Sequence, residues 1–425
     1  MRMSVNKSNP PEKRFLFFAF LFGLMSLLFV PTPFGSMSLF DTLCFFLAPV
    51  LFVKHFRYFT RHEHCLLIMA LLWLAGAVWS NLWRGEEFFD SVKGNVIVFS
   101  AWCLLVVSIV MLKKSHKTLL WFIVGTGISH VITLYYFQNA SFLEFAELAG
   151  YTREGGMQDF LMEKQVYPIY INLLITSIFF PLKAISFMPW LVIIICTLGS
   201  AFFVLFEGGS RTNFGVYLLV GFFMIGHAYF NRMTHILLKN FVVFSIISAF
   251  LTFGAFSVYK NLAQSGVLGE AEAQKYEREM VYSDSGFLGS RNDIIRAWPF
   301  LKKHPIVGAG SSSIDRWGYL SNEQLDRHGR MPRHSIIVGS WVQNGCLGLF
   351  FWIYGLYIIF RFVSKRLYSF NNWSPFLTVM ILNVVWAIFC SPFAVYRAWH
   401  CLILALSIVA QDNRWLERVK MDLYR

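Results

Sequence analysis

Long apolar stretches alternate with short polar connections along all 425 residues of the chain. A helix needs about 20 apolar residues to cross roughly 30 Å of hydrocarbon, and it satisfies its own backbone polar groups there. Each stretch therefore predicts one membrane-spanning helix, which makes about twelve spans and an all-α polytopic membrane protein. The predicted spans are residues 15–30, 37–53, 65–82, 95–112, 118–137, 167–182, 187–206, 213–230, 240–259, 335–360, 374–390 and 393–411.

The composition excludes a soluble globular protein. Hydrophobic residues make up 56% of the chain and charged residues only 14%, which is too few to cover a globule with a water-compatible surface. The seven cysteines lie in or beside apolar spans, so neither a disulfide framework nor a metal-ligand spacing is predicted.

Charge along the chain predicts the orientation of the spans. Lysine and arginine gather on alternate short connections, and such connections stay in the cytoplasm. Both termini are therefore predicted to be cytoplasmic. The net charge of +13 arises largely from this pattern, and no basic-aromatic binding module predicts a nucleic-acid partner. The cytoplasmic cations are Arg2, Lys7, Lys13, Arg14, Lys54, Arg57, Arg61, Lys113, Lys114, Lys117, Lys183, Arg232, Lys239, Arg361, Lys365, Arg366, Arg414, Arg418, Lys420 and Arg425.

One long polar segment on the outer side interrupts the rhythm of short connections. It divides the chain into spans one to nine (1–259), an outer loop expected to hold catalytic residues (260–334), and spans ten to twelve with a cytoplasmic tail (335–425). Within the loop, residues 290–303 combine a capping pattern with helical spacing of apolar residues and end before Pro305. This pattern predicts an amphipathic helix lying on the membrane face.

The tripeptide Gly-Ser-Arg occurs twice on the outer side, ending at Arg211 and at Arg291. Each copy puts a guanidinium at a predicted helix N-terminus, where unpaired amides and the helix dipole favour phosphate or pyrophosphate. The alternatives are that Arg211 snorkels or pairs with Glu207, and that Arg291 is a solvated surface residue.

A second basic cluster, residues 327–334, leads directly into predicted span ten. His334 lies at the start of that span, where the dipole and neighbouring cations favour a neutral imidazole able to act as a general base. An ordinary interfacial histidine is the alternative. Further candidates for an anion site are Arg330, Arg333, Arg397 and Lys93.

Several motifs occur here in a fixed order. Arg291 opens the loop helix, Pro305 to Gly310 read Pro-x-x-Gly-x-Gly, His334 is followed by serine, and Gly345 to Gly348 read Gly-x-x-Gly. This pattern, best between about residues 205 and 360, resembles the O-antigen ligase and polymerase superfamily of bacterial envelopes.

The resemblance implies a twelve-helix enzyme of the bacterial inner membrane, with a helical periplasmic loop between spans nine and ten. In the ligase branch, O-antigen polysaccharide passes from undecaprenyl pyrophosphate to lipid A-core in lipopolysaccharide biosynthesis. Carried over by position, Arg211 and Arg291 hold the pyrophosphate and His334 is catalytic. The expected partners are the lipid-linked glycan donor, the lipid A-core acceptor and membrane lipid.

The chemistry of the residues agrees with that expectation. Arginines stabilise a leaving pyrophosphate electrostatically without a metal, and the chain has no Asp-x-Asp metal-nucleotide motif. A single displacement inverts the anomeric carbon, and no cofactor is expected. Two alternatives stay open: a polymerase of the same superfamily, which uses a second lipid-linked glycan as acceptor, and a polysaccharide transporter or flippase, although no repeated halves are evident.

Overall fold

A computed structural model describes residues 10–26, 29–32, 35–137, 293–321, 325, 330–332, 335–367 and 393–424, with isolated positions at 254–267 and 377–389. These residues are mostly helical. The helices are α1 (Pro10–Met25), α2 (Leu39–His55), α3 (Arg61–Arg84), α4 (Phe88–Lys114), α5 (Lys117–Phe137), α6 (Asp293–Lys303), α7 (Ile336–Asn344), α8 (Cys346–Lys365), α9 (Phe393–Val409) and α10 (Asn413–Tyr424), and a 3-10 turn covers Phe56–Tyr58.

Four helical stretches within the described residues are long and apolar enough to cross a membrane: Leu39–Tyr58, Arg61–Arg84, Phe88–Lys114 and Cys346–Lys365. Lys117–Ser129 and Arg397–Val409 are shorter apolar helices. The prediction of a helical membrane protein is thus confirmed for this part of the chain. Predicted spans six to eight lie outside the described residues, and spans nine and eleven are described only at isolated positions.

Predicted span one ends earlier than expected. Residues 15–30 were expected to be helical, but α1 ends at Met25, and β1 (Phe29–Thr32) pairs antiparallel with β2 (Gly35–Ser38). Pro31 and Pro33 keep a helix from continuing past residue 30, because proline removes an amide donor and disfavours a helical residue before it. The chain therefore turns back in a short hairpin between α1 and α2.

Predicted span ten is also wrong as a single helix. The segment 335–360 divides into α7 and α8 at Gly345, whose φ of 71° lies in the left-handed region that favours glycine. α8 is long enough to span by itself. Both helices are apolar, so hydropathy alone does not reveal the break.

α4 lies at the centre of the described bundle, packed against α2, α3 and α9. Every side chain from Ser100 to Leu112 is buried, which is expected of a helix that is apolar on all sides. α8 packs on α3, where Trp73 stacks on Phe351 with ring centroids 4.8 Å apart. α1 and α5 pack mainly on each other.

Contacts between helix ends define two opposite ends of the bundle. At the basic end, Lys113 of α4 pairs with Glu63 of α3 at 2.8 Å, and Arg366 after α8 donates to Asn413 at 2.7 Å. The other end, called the loop end below, joins the α3–α4 corner to residues 304–321. The basic residues after α4 and α8 thus lie opposite the loop, in line with the alternation predicted from charge.

Candidate functional site

Only some of the predicted site residues fall within the described part of the chain. Arg211, Arg291, Arg333 and His334 lie outside it, so their roles stay predictions. Arg330, Arg397 and Lys93 are described, together with the motifs that flank the predicted histidine. These motifs lie at the loop end.

The predicted loop helix is present as α6, Asp293–Lys303. Its residues Ala297, Phe300 and Leu301 are buried in a small core shared with Met331 and Val342. On the same helix, the apolar side chains of Ile294 and Trp298 are exposed. This part of the loop is therefore a folded unit with its own core, and it packs on α7.

The Pro-x-x-Gly-x-Gly turn, residues 305–310, docks on the end of α7. The amide of Ala309 donates to the carbonyl of Val342 at 2.6 Å, and that of Gly310 donates to Gln343 at 3.1 Å. In return, the amide of Cys346 donates to Ile306 at 3.0 Å. The last carbonyls of a helix lack partners within it, so the turn caps α7 from outside.

Glycine is required where the turn meets the helix. A Cβ at Gly308 would overlap the carbonyl of Gln343, and a Cβ at Gly345 would overlap that of Ile306. Both overlaps involve backbone atoms, which cannot swing aside as a flexible side chain can. Two motifs that are far apart in sequence thus pack together as one unit.

We expect Gly308→Ala to disrupt this docking. The added methyl group must push the turn away from α7, at a cost of about 1–3 kcal/mol as for other overpacked sites. The melting temperature of the detergent-solubilised protein should fall, measured beside Gly254→Ala, where a Cβ has no neighbour within 4 Å among the residues that the structure describes. Equal melting temperatures for the two variants would show that the turn yields without cost.

Polar residues at the end of α3 anchor the same turn. Ser80 accepts a hydrogen bond from the amide of Gly308 at 2.9 Å, and Asn81 accepts one from Ser311 at 2.8 Å. Arg84 donates from Nε to the carbonyl of Gly308 at 2.8 Å. Both polar groups of the Gly308 backbone are therefore satisfied by one helix end.

Glu86, just after α3, holds the next part of the loop. Its side chain is 1% exposed, accepts from the hydroxyl of Ser312 at 2.6 Å, and pairs with Arg316 at 3.1 Å. The sequence alone assigns no role to Ser80, Asn81, Arg84 or Glu86. The available signal was the density of polar residues at the end of an apolar span.

Arg330, a candidate ligand of the anion site, lies where the chain comes back beside the residues that follow the glycine turn 305–310. It forms a backbone bridge with Ile314, and the amide of Met331 donates to Ser313 at 2.8 Å. Gln343 of α7 donates to the hydroxyl of Ser313 at 2.9 Å. The described start of the basic cluster therefore lies beside both the turn and α7.

Arg397, another candidate, is buried within the bundle and has an acidic partner. Its guanidinium is 2.7 Å from the carboxylate of Asp41 in α2 and donates to the hydroxyl of Ser100 at 3.3 Å. A buried charge needs such pairing. Arg397 thus joins α2, α4 and α9. An anion bound by Arg397 would have to share the guanidinium with Asp41. Lys93, the remaining candidate, is exposed near the start of α4.

Within the described residues, no group of three or more His, Cys, Asp or Glu side chains is arranged to hold a metal ion. No protein-family model, curated protein or solved structure matches the chain. Its function therefore has to be inferred from its own residues and their packing.

Proposed function

We propose that this protein is an O-antigen ligase, an inverting and metal-independent glycosyltransferase of the bacterial inner membrane. Its donor is O-antigen on undecaprenyl pyrophosphate, its acceptor is lipid A-core, and transfer takes place at the periplasmic face. The supporting observation is that the glycine turn 305–310, the described part of the basic cluster (residues 330–332) and the α7–α8 break at Gly345 pack together at the loop end.

The chemistry requires one proton acceptor and one anion site. His334, directly before the cap of α7, takes the proton from an acceptor hydroxyl as its oxygen bonds to the anomeric carbon. The bond from that carbon to the pyrophosphate oxygen breaks, and undecaprenyl pyrophosphate leaves with its negative charge stabilised by Arg211 and Arg291. No enzyme nucleophile takes part, so the configuration inverts.

The packing at α7 supports the assignment of His334. Ser335 caps α7, and its hydroxyl donates to the carbonyl of Ile388 at 3.2 Å. The other end of α7 is held by the glycine turn. A helix fixed at both ends restrains the backbone beside His334, and such restraint favours a precise catalytic geometry.

Deletion of the gene is expected to remove every O-antigen-bearing band from a lipopolysaccharide gel, because transfer to lipid A-core is the last joining step. Bare core should remain and lipid-linked polymer should accumulate, and expression of the wild-type chain should restore the bands. Core carrying a single repeat unit would indicate a polymerase instead. Unchanged bands would contradict both the ligase and the polymerase hypotheses. The hypothesis left to test would then be a transporter of another glycan.

A further inference from the structure

The surface of the loop carries a patch of aromatic and basic side chains. We call Arg84, Lys303, His304, Trp317 and Tyr319 the basic–aromatic patch. The rings of Trp317 and Tyr319 are nearly parallel, at 13° with centroids 6.1 Å apart. Lys303 is exposed, and the two rings and His304 are half-buried, so a ligand can reach them from solvent.

The local chain holds these side chains in place before any ligand arrives. The carboxylate of Asp315 accepts from the amide of Trp317 at 3.2 Å and from that of Leu320 at 2.7 Å. Phe300 of α6 lies behind the patch, with its ring centroid 5.8 Å from that of Trp317. A preformed arrangement lowers the ordering cost of binding.

The electrostatics of the patch favour an anion. The Lys303 ammonium lies 4.2 Å from the ring centroid of Tyr319, and the Arg84 guanidinium lies 4.2 Å from that of Trp317. Burial first, and then the charges of Arg84 and Lys303, lower the pKa of His304.

The neighbouring acids do not cancel this positive charge. Asp315 keeps its negative charge while it accepts from two backbone amides, and it offsets only one of the two cations Arg84 and Lys303. Glu86 is buried and paired with Arg316. Net positive charge therefore remains on the side of the patch that carries the exposed Lys303.

We propose that the basic–aromatic patch binds a sugar that carries a phosphate or carboxylate group. Lys303 and Tyr319 supply donors for the anion, and His304 Nε2 lies 3.4 Å from the Tyr319 hydroxyl, so one anionic group can bridge several of these atoms. The half-buried rings offer apolar surface to the C–H face of a sugar. The proposal rests on the proposed function only for the source of that sugar, either the acceptor or the donor glycan.

Saturation-transfer NMR on the detergent-solubilised full chain tests the proposal, with glucose 6-phosphate and glucose as observed ligands and with inorganic phosphate as a competitor of glucose 6-phosphate, since phosphate has no carbon-bound protons to observe. Glucose 6-phosphate should bind the wild type more tightly than either of the other two. Lys303→Gln should weaken it by about tenfold, the loss of one charge-assisted contact. Lys303→Arg, which keeps the charge, should bind nearly as the wild type does.

The matched control is Lys302→Gln, which removes the same charge from an exposed neighbour. Its affinity should stay within about twofold of the wild type, as expected of an exposed charge without a specific contact. Equal losses of affinity in Lys303→Gln and Lys302→Gln would show that only the general surface charge attracts the ligand, and this would overturn the proposal. Inorganic phosphate binding as tightly as the sugar phosphate would also overturn it.

Tyr319→Phe provides a second variant in case Lys303→Gln perturbs the fold. It removes only the hydroxyl and keeps the ring contacts, and it should weaken glucose 6-phosphate binding about tenfold or more, as expected for a lost hydrogen bond to a charged group. Unchanged affinity would contradict the site. All of these measurements are made without donor lipid, so their failure would leave the gel result for the proposed function standing.

Discussion

His334→Ala is expected to leave lipopolysaccharide without O-antigen while the protein stays in the membrane at its normal level. If His334 is the general base, its loss should slow transfer by about 10²–10⁴-fold, the usual contribution of such a group. Over a growth period, that rate leaves bare core on a gel. Transfer by the purified variant, measured with lipid-linked donor and core acceptor, should fall by the same factor.

His62→Ala is the matched control for this experiment. His62 is exposed near the start of α3, at the basic end and away from the loop. Its substitution should leave both the gel and the transfer rate unchanged. Normal O-antigen bands in cells that carry His334→Ala would rule out a catalytic role for that histidine.

The second large effect concerns the stability of the bundle. Arg397→Met should lower the free energy of unfolding by about 3–5 kcal/mol, because removal of one partner leaves the Asp41 carboxylate buried without its counter-charge. The double variant Asp41→Leu/Arg397→Met should recover most of this loss, since replacing both charges by apolar groups is often neutral. Denaturant or thermal unfolding in detergent measures both changes.

The same pair of variants separates two roles of Arg397. A double variant that is stable and still transfers O-antigen would show that Arg397 acts only through its contact with Asp41. A stable double variant without activity would favour the predicted anion site. A double variant as unstable as the single one would contradict the pairing as the reason for the loss.

The sequence predicted the described spans well because membrane helices obey a simple constraint. α3 and α4 fall where apolar length alone placed them, and α6 appears where capping and periodicity placed a loop helix. Each of these elements is specified by neighbours within a few turns. The same local logic failed at residues 26–38, where the apolar run masked the effect of Pro31 and Pro33, and at Gly345, where apolar residues on both sides hid the break.

Contacts between residues that are far apart in the sequence could not be predicted in this way. Arg397 was recognisable as a costly buried cation, but Asp41 was not recognisable as its partner. Likewise, the sequence does not signal that Glu86 contacts Ser312 and Arg316. Hydropathy says which segments can cross a membrane, and it does not say which helices are neighbours.

The sequence by itself determined that the chain has helices apolar and long enough for a membrane and which connections are basic, because composition and local periodicity carry those properties. Only the tertiary structure decided that the glycine turn closes the end of α7, that the α3–α4 corner anchors it, and that Arg397 meets Asp41. These contacts join residues far apart in the chain. They exist only once packing has selected the neighbours of each helix.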